Sequence, residues 1–264
     1  MLRVALEAAR EGARVHEQYL GRVSMEQWSE KGSADFVTHV DREAEARILE
    51  TIRRHYPDHS VMAEESATEP VAAEWLWVVD PLDGTTNFLH QYPMYCASVA
   101  LLHDGAPVAG AVVSNPTGEE WAAAKGGGAF RNGQRIHISE NDRIERALIG
   151  TGFPFKMAHA IESYLQQFHR VISNVSDIRR GGSAALDLCH VASGFLDGFW
   201  ELDLRPWDYA AGVLMIQEAG GIVNGLFDVG TRISEPDFIS GGGLLAGNAY
   251  VYEKLHDIVV KGRR

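Results

Sequence analysis

The segment around Asp80 carries residue types that could do chemistry. An apolar run of residues ends at Asp80, and Asp83 follows shortly before Gly84 and Thr85. A strand end followed by the start of a helix offers free backbone N–H groups to an anion, but two adjacent carboxylates would repel that anion. A divalent cation between them removes the conflict, and Mg²⁺ suits carboxylate and water oxygens and is commonly shared with phosphate. The segment therefore predicts a magnesium site that binds a phosphorylated substrate.

Three further acidic residues lie where elements are expected to begin or end. Glu64 and Glu65 follow an apolar run, and neighbouring side chains on an extended chain point to opposite sides. We therefore expect only one of them to face the metal directly, while the other positions a water or serves a second metal. Asp208 follows Pro206 at the start of a predicted helix, where it could bind metal or simply cap the helix. The pattern alone does not choose between these two roles.

The elements that must position these residues differ between the two halves of the chain. Helical spacing over Leu2–Leu20 and Asp41–Tyr56 is followed by strand-like runs joined by hairpin signals at Asp104-Gly105 and Asn132-Gly133. After a charged stretch at Ser139–Arg146, short strands alternate with helices. We predict an α+β part over 1–138 that carries most metal ligands and an α/β part over 139–264 that completes the site and the substrate pocket. The short linker favours two layered parts that share one core.

Composition narrows the possible classes of protein. The 264 residues include 24 Lys and Arg and 36 Asp and Glu, a formal net charge of −12 that argues against nucleic-acid and anionic-membrane binding. No run reaches the ~18 apolar residues of a transmembrane helix, and the N-terminal stretch has acids and helical spacing unlike a signal peptide. Cys96 and Cys189 lie in separate apolar runs without C-x-x-C spacing, which predicts buried free thiols in a reducing cytoplasm.

Taken together, the motifs resemble the inositol monophosphatase family along nearly the whole chain, and its bacterial members most. The similar stretches are Ser33–Thr38 with Asp41, Ala63–Ser66, Trp77–Phe88, Gly182–Asp187, Leu204–Gly212 and Glu218–Gly221. The resemblance implies a layered αβαβα sandwich, hydrolysis of phosphate monoesters with Mg²⁺, inhibition by Li⁺, and a homodimer. It also implies two or three Mg²⁺ ions, in a site that Mn²⁺ or Ca²⁺ could occupy.

The resemblance also implies a role for individual residues. Metal ligands would be Glu64, Asp80, the Leu82 carbonyl, Asp83 and Asp208. The residues beside the attacking water would be Glu64, Glu65 and Thr85. The phosphate and the alcohol would be bound by Gly84, Thr85, Thr86, Gly182, Ser183, Ala184 and Glu201, with Lys31 beside the site.

The function expected from these residues is hydrolysis of an inositol monophosphate by a metal-activated water. No nucleophile elbow is present, so no covalent Ser or Cys mechanism is required. Fructose-1,6-bisphosphatase, histidinol-phosphatase and nucleotide 3′-phosphatase activities share the metal core and stay open, as does a regulatory binding protein without turnover. Arg179, Arg180 and Arg205 could bind a second phosphate or line a subunit interface. In every enzymatic case the substrate is a small phosphorylated molecule, most simply a polyol or sugar.

Overall fold

The computed structural model describes residues 1–23, 29–32, 35–37, 39–66, 73–230 and 232–262, with the side chains of 29–32, 35–37 and Val229 outside the description. The helices are α1 Leu2–Tyr19, α2 His39–His55, α3 Thr85–Leu89, α4 Ile161–Ile172, α5 Ala184–Ala192, α6 Pro206–Glu218 and α7 Ala249–Val259. The first strands are β1 Ser29–Gly32, β2 Asp35–Val37, β3 Ser60–Ala63, β4 Trp75–Asp83, β5 Cys96–His103, β6 Ala106–Ser114, β7 Glu119–Ala124, β8 Gly128–Arg131 and β9 Gln134–Arg135. The later strands are β10 Leu148–Thr151, β11 Asp177–Arg179, β12 Gly198–Leu204, β13 Ile222–Phe227, β14 Arg232–Ser234 and β15 Gly242–Gly247.

Two large sheets organise the described residues. One runs in the order β3-β4-β5-β6-β7-β8-β9 and is antiparallel except for the parallel pair β3 and β4. The other runs β11-β10-β12-β15-β13-β14, with β11, β10 and β12 parallel and the remaining pairs antiparallel. The strands β1 and β2 pair separately.

Helices cover these sheets on both sides and fill the space between them. One core packs α1 and α2 against the first sheet, and another packs α4 and α7 against the second. Between the sheets lie α5 and α6, which are apolar nearly all round, as a helix buried on every side must be. The layers therefore run helix, sheet, helix, sheet, helix, which confirms the predicted αβαβα sandwich.

The elements agree with the sequence-based interpretation in kind and differ in detail. The strand expected to end at Asp80 continues as β4 to Asp83, because a bulge lets it keep pairing with β5 beyond Pro81. The second sheet is mixed, since β15 runs antiparallel to both of its neighbours. The strands of one large sheet precede residues 139–146 in the sequence and those of the other follow them. The division of the chain into two parts stays a prediction. Among the described residues, no helix has the length and apolar character needed to cross a membrane.

Candidate active site

A cavity of about 860 Å³ opens where the two sheets and the central helices meet. Residues from both halves of the chain line it. Of the predicted site residues, its lining includes Glu64, Asp80, Leu82, Asp83, Gly84, Thr85, Thr86, Gly182, Ser183, Ala184, Glu201 and Asp208. The fold therefore gathers into one cavity residues that are up to 144 positions apart in the sequence.

A bulge at the end of β4 shapes the first wall of this cavity. Asp80 pairs with Ser98 and Asp83 pairs with Cys96, so two residues of β4 oppose one residue of β5. The Leu82 N–H donates to Asp80 Oδ1 at 3.0 Å. Bulges re-aim side chains and change local backbone direction. Here the bulge places Asp80, the Leu82 carbonyl and Asp83 along one lip of the cavity.

Gly84 links this bulge to α3 in a conformation that requires glycine. Its φ of +90° lies in the left-handed region, and a Cβ would stand 2.7 Å from the Met94 carbonyl oxygen. We expect Gly84→Ala to lower the free energy of unfolding by roughly 2 kcal/mol or more and to abolish phosphate release. Urea unfolding and a phosphate assay would measure both. The matched control is Gly105→Ala, at φ +76° with open space around it, which carries the backbone strain without the clash. Equal losses in the two variants would contradict the role of the close approach.

Thr85 is tied to the bulge and to α2 by its hydroxyl. Thr85 Oγ1 lies 3.0 Å from the Leu82 carbonyl oxygen and 3.1 Å from Asp41 Oδ1. Asp41 is buried on α2, so its contact with Thr85 ties the start of α3 to α2 beside the cavity. Asp41 belongs to one of the motifs named above but was not among the predicted site residues, and only the packing of α2 brings it here.

Asp83 joins the first sheet to α5. Its Oδ2 accepts hydrogen bonds from Ser183 Oγ at 2.6 Å and from the Ala185 N–H at 2.8 Å. Ser183 is also the N-cap of α5, with Oγ 3.4 Å from the Leu186 nitrogen. One carboxylate therefore fixes the start of α5 against the bulge and lines the cavity at the same time.

Asp208 fills both of the roles that the sequence left open. At the third position of α6, it accepts the backbone N–H of Arg205 at 2.7 Å and so caps the helix. It also lines the cavity close to the other acids, and burial, Asp83 and Glu64 all raise its pKa. Helix capping and cavity lining are thus compatible in a single side chain.

Four carboxylates, those of Glu64, Asp80, Asp83 and Asp208, line this cavity close enough to repel one another. Burial raises the pKa of Asp80 well above its usual range, and Glu64, Asp83 and Asp208 raise it further. Burial likewise raises the pKa of Asp208, and it raises that of Asp83 to about 6 although Ser183 and Ala185 stabilise the charged form. Like charges gathered in a buried place are costly unless something neutralises them.

This donor set fits hard divalent cations. Three aspartates, one glutamate and a backbone carbonyl offer only oxygen ligands, which Mg²⁺ prefers. Within the described ranges, no group of three or more His, Cys, Asp or Glu side chains is arranged so that it could hold a metal ion.

Two of the predicted residues, Glu65 and Lys31, are not placed in the cavity by the structure. Glu64 follows β3 and lines the cavity, whereas Glu65 is not among the lining residues and its N–H donates to Glu45 Oε2 at 2.8 Å. Both residues lie in the turn after β3, so the alternation expected of an extended chain does not apply to them, and the role of Glu65 stays a prediction. Lys31 lies in β1, and its side chain is outside the described part of the chain.

The opposite wall holds Glu201 on β12 beside Asp187, a second buried carboxyl group whose pKa is raised well above its usual range by burial. Burial raises the pKa of Glu201 well above its usual range, and Asp187 adds to that, whereas Arg180 opposes it. A Cβ at Gly152 would overlap the Glu201 carboxyl group, which could then lie here only by moving aside. Arg180 leans over Phe153 and Phe155, with its guanidinium carbon 5.4 and 5.5 Å from the ring centroids.

The sequence predicts only some of the residues on this wall. Arg180 was noted as a possible anion-binding residue, but Phe153, Phe155 and Lys156 carried no recognisable pattern. They reach the cavity because the chain leaves β10 and crosses its mouth before α4. Arg205 also lines the cavity, whereas Arg179 pairs with Asp177 outside it.

Comparison with known proteins identifies the family. The profile of the inositol monophosphatase family matches residues 1–263. The chain belongs to this family. The Nus factor SuhB of Pseudomonas aeruginosa is 39% identical over 260 residues, covering 97% of this chain and 94% of that protein. A fructose-1,6-bisphosphatase/inositol-1-monophosphatase of Aquifex aeolicus is 38% identical over 260 residues, covering 98% and 94%.

A solved structure agrees with this assignment. The inositol monophosphatase from Anabaena superposes with a TM-score of 0.83 at 37% sequence identity, covering 97% of this chain and 93% of that one. The predicted family and fold are therefore confirmed. As a member of the inositol monophosphatase family, the chain is a phosphatase of a generally metal-dependent kind, and the comparisons leave its substrate and ions undetermined.

Proposed function

We propose that this chain is a Mg²⁺-dependent phosphate monoester hydrolase whose substrate is an inositol monophosphate. The observation that carries the proposal is the set of mutually repelling carboxylates Glu64, Asp80, Asp83 and Asp208 on the lip of one cavity. Bound Mg²⁺ would neutralise phosphate charge, make a water more acidic and stabilise the leaving alkoxide. Family membership and the Anabaena relative support the same activity.

The chain's own residues would bind the ester and orient the attacking water. Glu64 and Thr85 would hold that water in line with the ester bond, with Glu64 accepting its proton, and Glu65 would assist from behind. The Gly84 and Thr85 N–H groups, beside Thr86, would hold the phosphate oxygens. As the water oxygen would bond to phosphorus, the ester P–O bond would break, and the leaving oxygen would take up a proton from solvent water while Glu64 returns its proton to solvent.

The alcohol part of the substrate would lie against Glu201. A carboxylate can accept hydrogen bonds from two neighbouring hydroxyls of a polyol or sugar. Gly182, Ser183 and Ala184 at the start of α5 would complete this pocket, and Lys31 would add positive charge from β1. The cavity of about 860 Å³ is ample for a phosphorylated cyclitol.

A substrate screen tests the proposal directly. Phosphate release from myo-inositol 1-phosphate, glycerol 2-phosphate, fructose 1,6-bisphosphate, histidinol phosphate and adenosine 3′,5′-bisphosphate would be measured with Mg²⁺, with and without Li⁺. We expect selective, Li⁺-sensitive turnover of the inositol ester. Mn²⁺ and Ca²⁺ in place of Mg²⁺ would show which ions the site accepts. A stronger preference for another ester would keep the metal site and replace the substrate.

Sugar bisphosphatase activity is the second candidate. Arg180, Lys156 and Arg205 line the cavity and could bind a second phosphate, and the Aquifex relative is named for both activities. Histidinol-phosphatase and nucleotide 3′-phosphatase activities draw no comparable support from the cavity. A regulatory binding protein without turnover is the reading to adopt if no ester in the screen releases phosphate.

The proposal includes the cellular location, the oligomeric state and the binding partners of the protein. We infer a cytoplasmic protein, which two buried free cysteines favour. A homodimer is supported by α4, which leaves Ile161, Leu165 and Ile172 exposed. The net charge of −12 supports a small anionic ester bound through cations, without nucleic-acid or membrane binding.

A further inference from the structure

A buried histidine lies directly behind the bulge that carries the proposed metal ligands. His16 is in the last turn of α1, has no exposed surface, and places Nε2 2.7 Å from the Pro81 carbonyl oxygen. A carbonyl oxygen only accepts, so Nε2 carries the hydrogen and donates it. Burial lowers the pKa of His16 to about 4, which keeps the ring neutral and leaves Nδ1 without a proton.

A histidine at this buried position is less favourable for stability than an apolar side chain would be. Its Nδ1 has no hydrogen-bond partner among the described residues, and the ring packs against Phe88 and Tyr95 with centroids 6.1 and 5.8 Å away. A buried polar atom left without a partner lowers the stability of the fold, and an apolar side chain at this position would avoid that loss. The benefit of an imidazole here lies in its bond to Pro81.

That bond falls where the sheet itself gives least support. Pro81 has no N–H to donate, and it lies between the pairs Asp80–Ser98 and Asp83–Cys96, where the register of β4 against β5 shifts. The next carbonyl along, that of Leu82, accepts a hydrogen bond from Thr85 Oγ1. Two successive carbonyls of the bulge are therefore each held by a side chain, one from α1 and one from α3.

We propose that His16 is a positioning residue, which holds the Pro81 carbonyl and thereby aims Asp80, the Leu82 carbonyl and Asp83 into the cavity. It acts only through Pro81. The inference rests on the proposed function in one respect, namely that the aimed groups bind Mg²⁺.

Two substitutions at His16 separate its hydrogen bond from its volume. His16→Leu fills the space without a donor, and His16→Gln keeps an amide N–H near the place of Nε2. Val4→Ala is the control for lost stability, because Val4 is buried in the first turn of the same helix, about 18 Å away along its axis.

The first measurement is amide hydrogen exchange in the metal-free protein. We expect His16→Leu to speed exchange across residues 80–86 about tenfold, the value of one hydrogen bond, while His16→Gln stays within about threefold of the parent. Val4→Ala should leave this segment unchanged. Equal exchange in the Leu and Gln variants, or unchanged exchange in the Leu variant, would overturn the positioning role.

The second measurement is Mg²⁺ binding by calorimetry, together with the Mg²⁺ dependence of turnover. The Leu variant should need about tenfold more Mg²⁺, and the Gln variant should recover most of that loss. A Leu variant with the parent's Mg²⁺ affinity would also overturn the proposal. If the parent itself binds no Mg²⁺, the proposed function fails, whereas hydrogen exchange still decides whether His16 positions the bulge.

Discussion

Replacing Asp80 by Asn is expected to lower kcat/KM about a thousandfold while making the metal-free protein more stable. The two effects have one cause. Asp80 is buried among Glu64, Asp83 and Asp208, so its charge is costly without metal and would be needed to bind it. Asparagine keeps an oxygen for the Leu82 N–H and removes the charge. The loss corresponds to roughly 4 kcal/mol of transition-state stabilisation.

The pH dependence of stability follows from the same groups. A carboxyl whose pKa is raised on folding adds stability below its ordinary pKa, and that contribution is lost as the pH rises through the folded value. For Asp83 this window extends from about 4 to about 6. Burial and the neighbouring carboxylates likewise raise the pKa of Asp80 well above its usual range, so at neutral pH Asp80→Asn should raise the free energy of unfolding of the metal-free protein.

Urea unfolding without metal and phosphate release with Mg²⁺ measure the two effects. Asp197→Asn is the matched control, because its carboxylate accepts hydrogen bonds from Ser139 Oγ and the Leu148 N–H away from the cavity. It should lose stability and keep turnover, the reverse of Asp80→Asn. Near-parental turnover of Asp80→Asn at saturating Mg²⁺ would show that Asp80 is not a required ligand.

Removing the Glu201 carboxylate is expected to change which esters the protein prefers. With Glu201→Ala, kcat/KM for an inositol phosphate should fall about a hundredfold, because hydroxyls placed for hydrogen bonding lose their acceptor. For an aryl phosphate that has no neighbouring hydroxyls, kcat/KM should change less than about threefold, because the metal core remains intact. Steady-state kinetics on both esters gives the comparison.

The design of the Glu201 experiment needs one conservative variant and one distant control. Glu201→Gln keeps the shape of the side chain, and its kcat/KM for the inositol phosphate should fall less than that of Glu201→Ala. Glu119→Ala removes a carboxylate that pairs with Arg131 outside the cavity, and both esters should be turned over as before. If Glu201→Ala lowered kcat/KM equally for the two esters, Glu201 would contribute to hydrolysis of any ester and not to the choice of substrate.

The sequence by itself predicted the kind of site and determined much of the fold. Asp80 and Asp83 beside Gly84 indicated a cation and phosphate site because short spacing between like charges is a local property. Helical and strand periodicity in the first half, and alternating helices and strands in the second, predicted layers, because those patterns reflect which face each element buries. Family resemblance ordered these pieces into the sandwich that the structure confirms.

Only the tertiary structure decided how distant residues meet. The bulge at Pro81 arises from the register of β4 against β5, and periodicity carries no information on register shifts within a strand. Asp41 reaches Thr85, Arg180 reaches the wall of Glu201, and His16 reaches Pro81 only because helices pack against the ends of strands. Such contacts depend on long-range packing, whereas residue type and spacing record only what neighbours along the chain can do.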